Sequence, residues 1–270
     1  MREIKVSRIN VSKQTIKERK DFVAEETSIH IFLNKVHYGT ILCSPEQLEE
    51  MVVGHLLSQG LLKSTDEIDE LVLKNDGKCL VKLRSGIDAE NRISTSQRVA
   101  RLVVSSCGSP DYWPLSEVID SLEITQMYIT PTVEAEIISQ SVRKLNTIAE
   151  QFRKTGGVHV AALYSMDGKL AALAEDVGRH NAVDKVIGAG VTGNVEFKNF
   201  FLALSGRLTG DIVLKAARMR IPVIASLAAA ISSGLEAAQL TGVTLIGFIR
   251  GKRMNVYTYP ERITLSSQKL

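Results

Sequence analysis

The chain has 270 residues, which is enough for one large domain or two modest domains that bury a hydrophobic core. Hydrophobic residues make up 44% of the chain and charged residues 23%, a composition that is typical of globular proteins and excludes a disordered chain. The formal net charge of +3 is too small to indicate nucleic acid as a partner of the whole protein.

The three cysteines, Cys43, Cys79 and Cys107, are odd in number and widely separated, so they predict neither a disulfide framework nor a zinc-binding CxxC pair. This usage is typical of a reducing compartment. The first 20 residues contain no apolar signal segment, and no run reaches the roughly 18 apolar residues that a bilayer span needs. We therefore expect a cytoplasmic protein that does not contact a membrane.

The first half of the chain is predicted to consist of a basic arm at residues 1–20 followed by strands and one helix. The elements are a hairpin of 29–33 and 36–41, a helix capped by Ser44 that ends at Gly60, and a second hairpin of 71–73 and 79–83 around an Asn-Asp-Gly turn. Cys79 is expected to be a structural residue within its strand. Cys43, just before the helix, has little beyond its thiol to indicate a function.

The second half begins with a predicted helix, in which Pro131 takes the first helical position and which ends at Gly156. The elements that follow are strands at 158–164, 170–174, 200–204, 222–226 and 243–249, and helices at 180–187, 211–219 and 232–240. Their alternation indicates an α/β layer with at least three neighbouring parallel strands. The sequence therefore predicts an α+β protein, with a smaller β-rich domain at 1–130 and an α/β domain at 131–270.

Cys107 lies in the small-residue segment SSCGSP at 105–110, directly after an apolar run. A cysteine reacts as the thiolate, which needs access and surroundings that favour negative charge, and the adjacent Gly108 allows close approach. A half-buried loop cysteine fits the same residues. The residues alone leave both interpretations open.

Polar loops follow three of the predicted strands, at 175–181, at 205–210 and from Ser226 onward. In sheets of this kind such loops converge at one edge, where helix amides also point. Their glycines and hydroxyls, with the guanidinium groups of Arg179 and Arg207, suit a phosphate-bearing ligand. Each loop taken alone is also explained by turn chemistry and helix capping.

The segment FIRGKR at 248–253 places Arg250, Lys252 and Arg253 where the last strand of the same sheet ends. A solvated hairpin with edge charges is the alternative explanation, and the location at this sheet is what favours a function. His180, at the head of a predicted helix, fits either a general base or a capping or structural histidine.

Seven segments form a series along the chain: AEE at 24–26, GHLLSQG at 54–60, SSCG at 105–108, TGGVH at 155–159, EDVGRHNAVDK at 175–185, SGR at 205–207 and GFIRG at 247–251. From about residue 22 to residue 262 this series resembles the FdhD family of formate dehydrogenase accessory proteins. The EDVGRHNAVDK segment is long and specific, and it carries most of the resemblance.

The resemblance implies a sulfur carrier that accepts persulfide sulfur from a cysteine desulfurase and delivers it to the molybdenum bis-molybdopterin guanine dinucleotide cofactor of a formate dehydrogenase. It also implies a C-terminal domain similar to cytidine deaminase and a homodimer that binds the guanine ends of the cofactor, with GDP as a related ligand. It places the persulfide on Cys107, and the cofactor on Phe248, Ile249, Arg250, Gly251, Lys252 and Arg253. We add Arg179, His180, Ser205 and Arg207 as cofactor-binding candidates, because a polyanion suits cations grouped at one sheet edge.

One departure from the family pattern is Pro110, which stands where many members carry the second cysteine of a CxxC. The chain thus lacks the thiol that an internal disulfide or a two-thiol relay requires. A protein that shelters the cofactor without transferring sulfur is the alternative function. A zinc-dependent nucleoside deaminase, suggested by the implied fold, is excluded because that chemistry needs a Pro-Cys-x-x-Cys ligand pair and no cysteine follows Cys107. No resident metal is expected.

Overall fold

The computed structural model describes residues 1–104, 115, 117, 119, 124–127 and 131–265, without the side chains of residues 97–104. The strands are β1 (Arg2–Asn10), β2 (Thr15–Val23), β3 (Thr27–Leu33), β4 (Val36–Cys43), β5 (Ile68–Leu73), β6 (Lys78–Leu83), β7 (Val133–Glu134), β8 (His159–Ser165), β9 (Leu170–Asp176), β10 (Phe200–Leu204), β11 (Val223–Ser226), β12 (Thr244–Arg250), β13 (Arg253–Val256) and β14 (Ile263–Thr264). The helices are α1 (Leu48–Ser58), α2 (Ala89–Val104), α3 (Ala135–Ile148), α4 (Glu150–Thr155), α5 (Arg179–Thr192), α6 (Gly210–Arg218) and α7 (Ser232–Thr241).

A four-stranded sheet of order β4-β3-β6-β5 forms the first half, with β3 and β6 parallel and the outer pairs antiparallel. Ile29, Ile31 and Leu33 alternate along β3 and are fully buried, because every second side chain of a strand points to the same face. This face packs in one apolar cluster with α1 and the start of α2. The two predicted hairpins are confirmed, and Cys79 lies within β6 as predicted, with its side chain fully buried.

A six-stranded sheet of order β13-β12-β11-β10-β8-β9 forms the second half. Strands β10, β11 and β12 run parallel, as the alternating pattern predicts, whereas β8 is antiparallel to both β9 and β10. Both faces are buried: one packs with α5, α6 and α7, and the other with α3. This double burial explains the continuous apolar runs of the strands. The expected α+β fold with an α/β layer is confirmed.

The two halves meet where α1 packs against α5 with unusually close backbones. A Cβ atom at Gly54 would lie 1.8 Å from the carbonyl oxygen of Asp184, and one at Gly188 would lie 1.9 Å from that of Glu50. Neither position therefore accommodates a side chain without moving a helix. The division of the chain at residue 130 stays a prediction, and Met127 already packs in the core of the second half.

Residues 1–20, predicted to be a basic arm, instead belong to an antiparallel hairpin of β1 and β2 whose register runs from Arg2 opposite Val23 to Asn10 opposite Thr15. Most of its side chains are exposed on both faces, and apolar alternation in β1 is limited to the half-buried Ile4 and Val6, too short a pattern to predict a strand. Cross-strand charge pairs, such as that between Lys20 and Glu3 at 2.8 Å, account for part of the charge that suggested an arm.

Two predicted helix starts are wrong. The first helix begins at Leu48 rather than at a Ser44 cap, because Ser44 binds another loop: its N–H donates to Asp176 and its hydroxyl accepts from Val177. Pro131 precedes a short strand rather than a helix, since β7 pairs with β14. The long predicted helix is two helices, α3 and α4, separated at Ala149, whose backbone is extended. The predicted end at Gly156 is confirmed.

Candidate functional site

The carboxyl ends of β9, β10, β11 and β12 lie at one edge of the six-stranded sheet. This follows from the pairings, because β8 is antiparallel to both of its neighbours and therefore begins at the edge where they end. The predicted convergence of polar loops at one edge is thus borne out by the strand directions. We name this the carboxyl edge.

Ser205 and His159 form the centre of a cluster at the carboxyl edge. We name it the inner cluster, and it also contains Arg179, His180 and Arg207. The Ser205 hydroxyl accepts a hydrogen bond from the N–H of Val160 at 2.9 Å, and it lies 3.4 Å from Nδ1 of His159. Gly206 follows, and a Cβ there would lie only 3.1 Å from the Cβ of Arg179. Glycine at this position therefore lets the Arg179 loop approach the end of β10 closely.

The inner cluster is electropositive. Burial lowers the pKa of His159, and the charges of Arg179 and Arg207 lower it further. Arg207 is exposed, whereas Nε of Arg179 is buried and has no hydrogen-bond partner among the described residues. A buried donor without a partner is costly, and a bound anion would supply the missing acceptor. The residues present therefore fit a phosphate-bearing ligand.

His180 is oriented by a carboxylate. Its Nε2 lies 3.0 Å from Oδ2 of Asp211, and the Thr209 hydroxyl donates to the other carboxylate oxygen. Burial lowers the pKa of His180 to about 4, while Asp211 opposes that shift. The ring is therefore neutral near pH 7, with the proton on the Nε2 that faces Asp211. The sequence left open a general base and a capping or structural histidine, and the pairing with Asp211 is compatible with either.

The turn between β12 and β13 carries the other predicted cofactor residues. Phe248 is exposed with φ 51°, and the guanidinium of Arg250 lies 5.7 Å from its ring centre. Gly251 (φ 60°) turns the chain, and its carbonyl accepts a hydrogen bond from Ser139 at 3.0 Å. Lys252 and Arg253 are exposed on the same turn, so three cations face solvent here.

Ile249 differs from its neighbours, because its side chain is 1% exposed and packs in the core on the α3 face of the sheet. Only its backbone is therefore available to a ligand.

The structure brings the predicted cofactor residues together as two groups. Arg179, His180, Ser205 and Arg207 belong to the inner cluster, and residues 248–253 form the β12–β13 turn. One strand, β11, lies between β12 and β10 in the sheet, and the two inter-strand spacings correspond to a distance of roughly 10 Å. Two hydrogen bonds at this edge lie between the groups, from the Ser226 hydroxyl to the Gly206 carbonyl at 2.6 Å and from the Phe248 N–H to the Ala228 carbonyl at 3.0 Å.

Much of the EDVGRHNAVDK segment is structural. The Asp176 carboxylate accepts hydrogen bonds from the N–H groups of Ser44 and Gly178 and from Asn181, and it pairs with Lys185 at 2.7 Å. Asp176 and Lys185 are both fully buried. The segment therefore fastens the end of β4 to the second sheet.

Sequence reasoning missed a second buried ion pair and two members of the site. Asp184 binds Lys215 at 2.6 Å and His55 at 2.8 Å, beneath the α1–α5 contact. At the site itself, His159 and Asp211 were not predicted. The helix start Thr-Gly-Asp at 209–211 was a usable signal for Asp211, because an acidic first turn is a common helix feature. His159 lies in the TGGVH segment at 155–159 that carries part of the family resemblance, and that segment was the signal for it.

Cys107 lies outside the described residues. Cys43 and Cys79 are fully buried, and burial raises the pKa of each thiol to about 11. Both side chains are therefore protonated near pH 7 and inaccessible to a reaction partner. No helix within the described ranges is long and apolar enough to cross a membrane.

Comparison with known proteins agrees with the resemblance seen in the motifs. The model of the FdhD/NarQ family matches residues 24–264. The protein named sulfur carrier protein FdhD of Sulfolobus acidocaldarius is 34% identical over 266 residues, 98% of this chain and 99% of the relative. Its namesake in Methanothermobacter thermautotrophicus is 35% identical over 262 residues, 97% of this chain and 98% of the relative.

A solved structure has the same fold. The crystal structure of a proposed formate dehydrogenase accessory protein from Desulfotalea psychrophila superimposes with a TM-score of 0.75 at 30% identity, covering 97% of this chain and 98% of that one. Both the family model and the relatives extend over nearly the whole chain, across both sheets. The chain belongs to the FdhD/NarQ family.

Proposed function

We propose that this protein is a sulfur carrier that serves a formate dehydrogenase and carries the sulfur on Cys107. The family membership supports the general role, because relatives matched over nearly their whole length are named sulfur carriers. The resemblance of SSCG at 105–108 to the family motif supports Cys107 as the sulfur-bearing residue. The donor that we propose is a cysteine desulfurase, and the working form a homodimer.

The observation that carries this proposal is the state of the other two thiols. The chain has three cysteines, and Cys43 and Cys79 are buried with the pKa of each raised to about 11. A sulfur carrier needs a thiolate that reaches a donor protein, and neither of these residues meets that requirement. Cys107 is the remaining candidate.

The loading step conserves atoms and electrons. The Cys107 thiolate attacks the outer sulfur of the donor's cysteine persulfide, a new S–S bond forms, and the donor cysteine leaves as a thiolate. Delivery of that sulfur as a sulfide ligand of molybdenum consumes two electrons. We assign them to a thiol reductant, which is converted to a disulfide.

We further propose that the carboxyl edge holds the guanine dinucleotide ends of the molybdenum cofactor, which is cargo. The support is the buried Nε of Arg179, which has no partner among the described residues, with Arg207 nearby and three exposed cations on the β12–β13 turn. Guanidinium groups match phosphate geometry, and the exposed Phe248 ring offers a surface on which a base stacks. GDP is the simplest ligand that carries both groups.

A cofactor chaperone that transfers no sulfur is the second candidate, and Pro110 is the observation that favours it. Without a second thiol in the segment, no internal disulfide can discharge the persulfide. The same feature suits a carrier whose persulfide waits for an outside acceptor. The two functions differ in whether Cys107 is required.

The decisive experiment is to replace Cys107 with alanine in cells that lack the native protein and to measure formate dehydrogenase activity. We expect Cys107→Ala to abolish activation, and mass spectrometry of the wild-type protein incubated with a desulfurase and cysteine to show one added sulfur on Cys107. Cys43→Ala is the matched control, because it removes a thiol that is buried; it is expected to retain activity.

Activation by Cys107→Ala at the wild-type level would refute the carrier function. The chaperone function would then be supported if the variant still copurified with the cofactor. If the wild-type protein carried a persulfide on Cys107 but Cys107→Ala still activated the dehydrogenase fully, activation would not require that sulfur.

A further inference from the structure

A cleft of ≈ 680 Å³ lies away from the carboxyl edge, at the opposite edge of the same sheet. Helix α6 begins at Gly210, just after the Arg207 loop, and ends at Arg218 before β11 starts. Nine helical residues span roughly 13 Å, so α6 carries the chain from one edge of the sheet to the other. The residues that matter for the argument are Gly60, Lys63, Arg92, Ser96, Arg218 and Arg220, which line the cleft.

The walls of the cleft are basic. Four of the lining residues carry a positive charge, and among the described residues the carboxylate of Glu67 pairs with one of them, Arg92. Arg92 holds Glu67 through two hydrogen bonds, of 2.5 and 2.9 Å, and this pairing lowers the pKa of Glu67. The negative charge of Glu67 therefore offsets the positive charge of Arg92.

Arg218 and Arg220 bind carbonyl groups instead of acids. The Arg218 guanidinium donates to the carbonyl of Ser58 at 3.2 Å, and that of Arg220 to the carbonyl of Thr125 at 3.2 Å. Among the described residues, no carboxylate lies within ion-pair distance of either group. Each guanidinium has five N–H donors, so most of them remain available.

Arg218 is held in place rather than extended into solvent. Its guanidinium rests on the backbone of Gly60, where a Cβ would lie 2.3 Å from Nη1. Gly60 also has φ 72°, so both its backbone angle and the guanidinium exclude a larger residue. Burial lowers the pKa of Arg218 to about 10, because it removes the charged guanidinium from water.

We propose that this cleft binds the phosphate group of a small molecule, at a site separate from the carboxyl edge. Two guanidinium groups that pair with no carboxylate of the described residues suit a dianion with several acceptor oxygens better than a single carboxylate. The cleft is larger than an inorganic phosphate, and Leu57, Leu62 and Met219 line the remainder. An apolar portion of a phosphate ester would pack there.

The test is a titration of the full-length protein with inorganic pyrophosphate, followed by nuclear magnetic resonance at the Gly60 amide and the Arg218 Nε–H. We expect saturable shifts of both signals, with a dissociation constant in the roughly millimolar range or tighter. Arg218→Gln is expected to weaken binding at Gly60 about tenfold, and exposed Arg220→Gln about threefold. Parallel titrations with inorganic phosphate and glycerol 3-phosphate distinguish a site for free phosphate from a site for a phosphate ester. Tighter binding of glycerol 3-phosphate assigns the site to an ester, and tighter binding of inorganic phosphate assigns it to the free ion.

Two control variants separate this site from the carboxyl edge. Arg207→Gln removes a cation of the inner cluster, and Arg153→Gln removes an exposed one on α4. Both are expected to leave the shifts at Gly60 unchanged. If Arg218→Gln does not fold, binding to the Arg220→Gln variant, measured at the Gly60 amide, tests the proposal instead, because Arg220 is exposed.

The proposal is overturned if the Gly60 amide does not shift at up to roughly 10 mM pyrophosphate. It is also overturned if folded Arg218→Gln and Arg220→Gln bind as tightly as wild type. A loss caused by Arg207→Gln would assign the binding to the carboxyl edge and would equally refute a separate site. None of these outcomes depends on sulfur transfer by Cys107, so the two proposals fail independently.

Discussion

At the scale of single residues, the half-buried ring of His180 is expected to make stability depend on pH. Its pKa in the folded protein is about 4, below the ordinary 6.5, because burial disfavours the charged ring and Arg179 and Lys215 add to that effect against Asp211 and Asp184. Above pH 6.5 the ring is neutral in both states. As the pH falls from 6.5 towards 4, the unfolded chain takes up a proton that the folded chain does not, so the folded state loses stability.

We therefore expect the wild-type protein to lose about 1–3 kcal/mol of unfolding free energy through His180 between pH 6.5 and pH 4. His180→Gln lacks the proton-binding ring and should lose less over the same interval. Urea unfolding followed by circular dichroism at several pH values measures the difference. His37→Gln, which changes an exposed histidine on β4, is the control and should follow the wild type. If the unfolding free energy of His180→Gln changed with pH as that of the wild type does, the lowered pKa of His180 would be contradicted.

The sequence predicted these site residues unevenly, for a physical reason. Arg179, Ser205 and Arg207 were predictable because they follow apolar strands, and strand direction alone brings such positions to one edge. His159 was not proposed as a site residue, because it is the first residue of β8 rather than the last, and it reaches this edge only since β8 runs antiparallel to its neighbours. The burial of Ile249 was missed for another reason. Side chains alternate between the two faces at the end of β12, so Ile249 is buried between the exposed Phe248 and Arg250.

At the scale of elements, the contact among α1, α5 and α6 depends on a buried charge network. Lys215 Nζ lies 2.6 and 2.7 Å from the two Asp184 oxygens and 3.1 Å from the Ser58 hydroxyl. Burial alone would raise the pKa of Asp184, but Lys215 and His55 outweigh it and hold that pKa below its ordinary range. Each charge is therefore tolerated only because the other is present.

Lys215→Met should accordingly cost about 3–5 kcal/mol of unfolding free energy, because it leaves Asp184 ionised and short of a partner. Lys198→Met removes the same charge from an exposed pair with Glu196 and should cost less than about 1 kcal/mol. Chemical denaturation at neutral pH measures both. Equal losses in the two variants would show that burial of the network contributes nothing to the helix contact.

How far the elements could be predicted depended on where their apolar faces pack. The strands of the second sheet are buried on both sides, and the continuous apolar runs placed β10, β11 and β12 within a residue or two. The hairpin of β1 and β2 buries little, so its residues form no long apolar run and the basic residues dominate the pattern. The start of α1 was misplaced because Ser44, which resembles a helix cap, binds a loop 132 residues away in sequence.

At the scale of the whole molecule, the sheet separates two basic regions. The carboxyl edge carries the inner cluster and the β12–β13 turn, while the cleft around Arg218 lies at the other edge. The net charge of +3 conceals this arrangement, because acidic residues pair with cations elsewhere on the surface. Local grouping, rather than net charge, therefore determines where anions bind.

The proposed cofactor site at the carboxyl edge is tested by changing Arg250, Lys252 and Arg253 together to serine and measuring GDP affinity by calorimetry. We expect weaker binding at low salt, by about tenfold or more, because three exposed cations are removed. The difference from wild type should shrink as salt rises, since screening already weakens exposed contacts in the parent. A variant with Lys74, Lys82 and Arg84 changed to serine loses the same charge from the first sheet and should bind GDP as the wild type does. Unchanged affinity in the first variant at low salt would instead place the nucleotide at the inner cluster, where the unpartnered Nε of Arg179 is the strongest anchor.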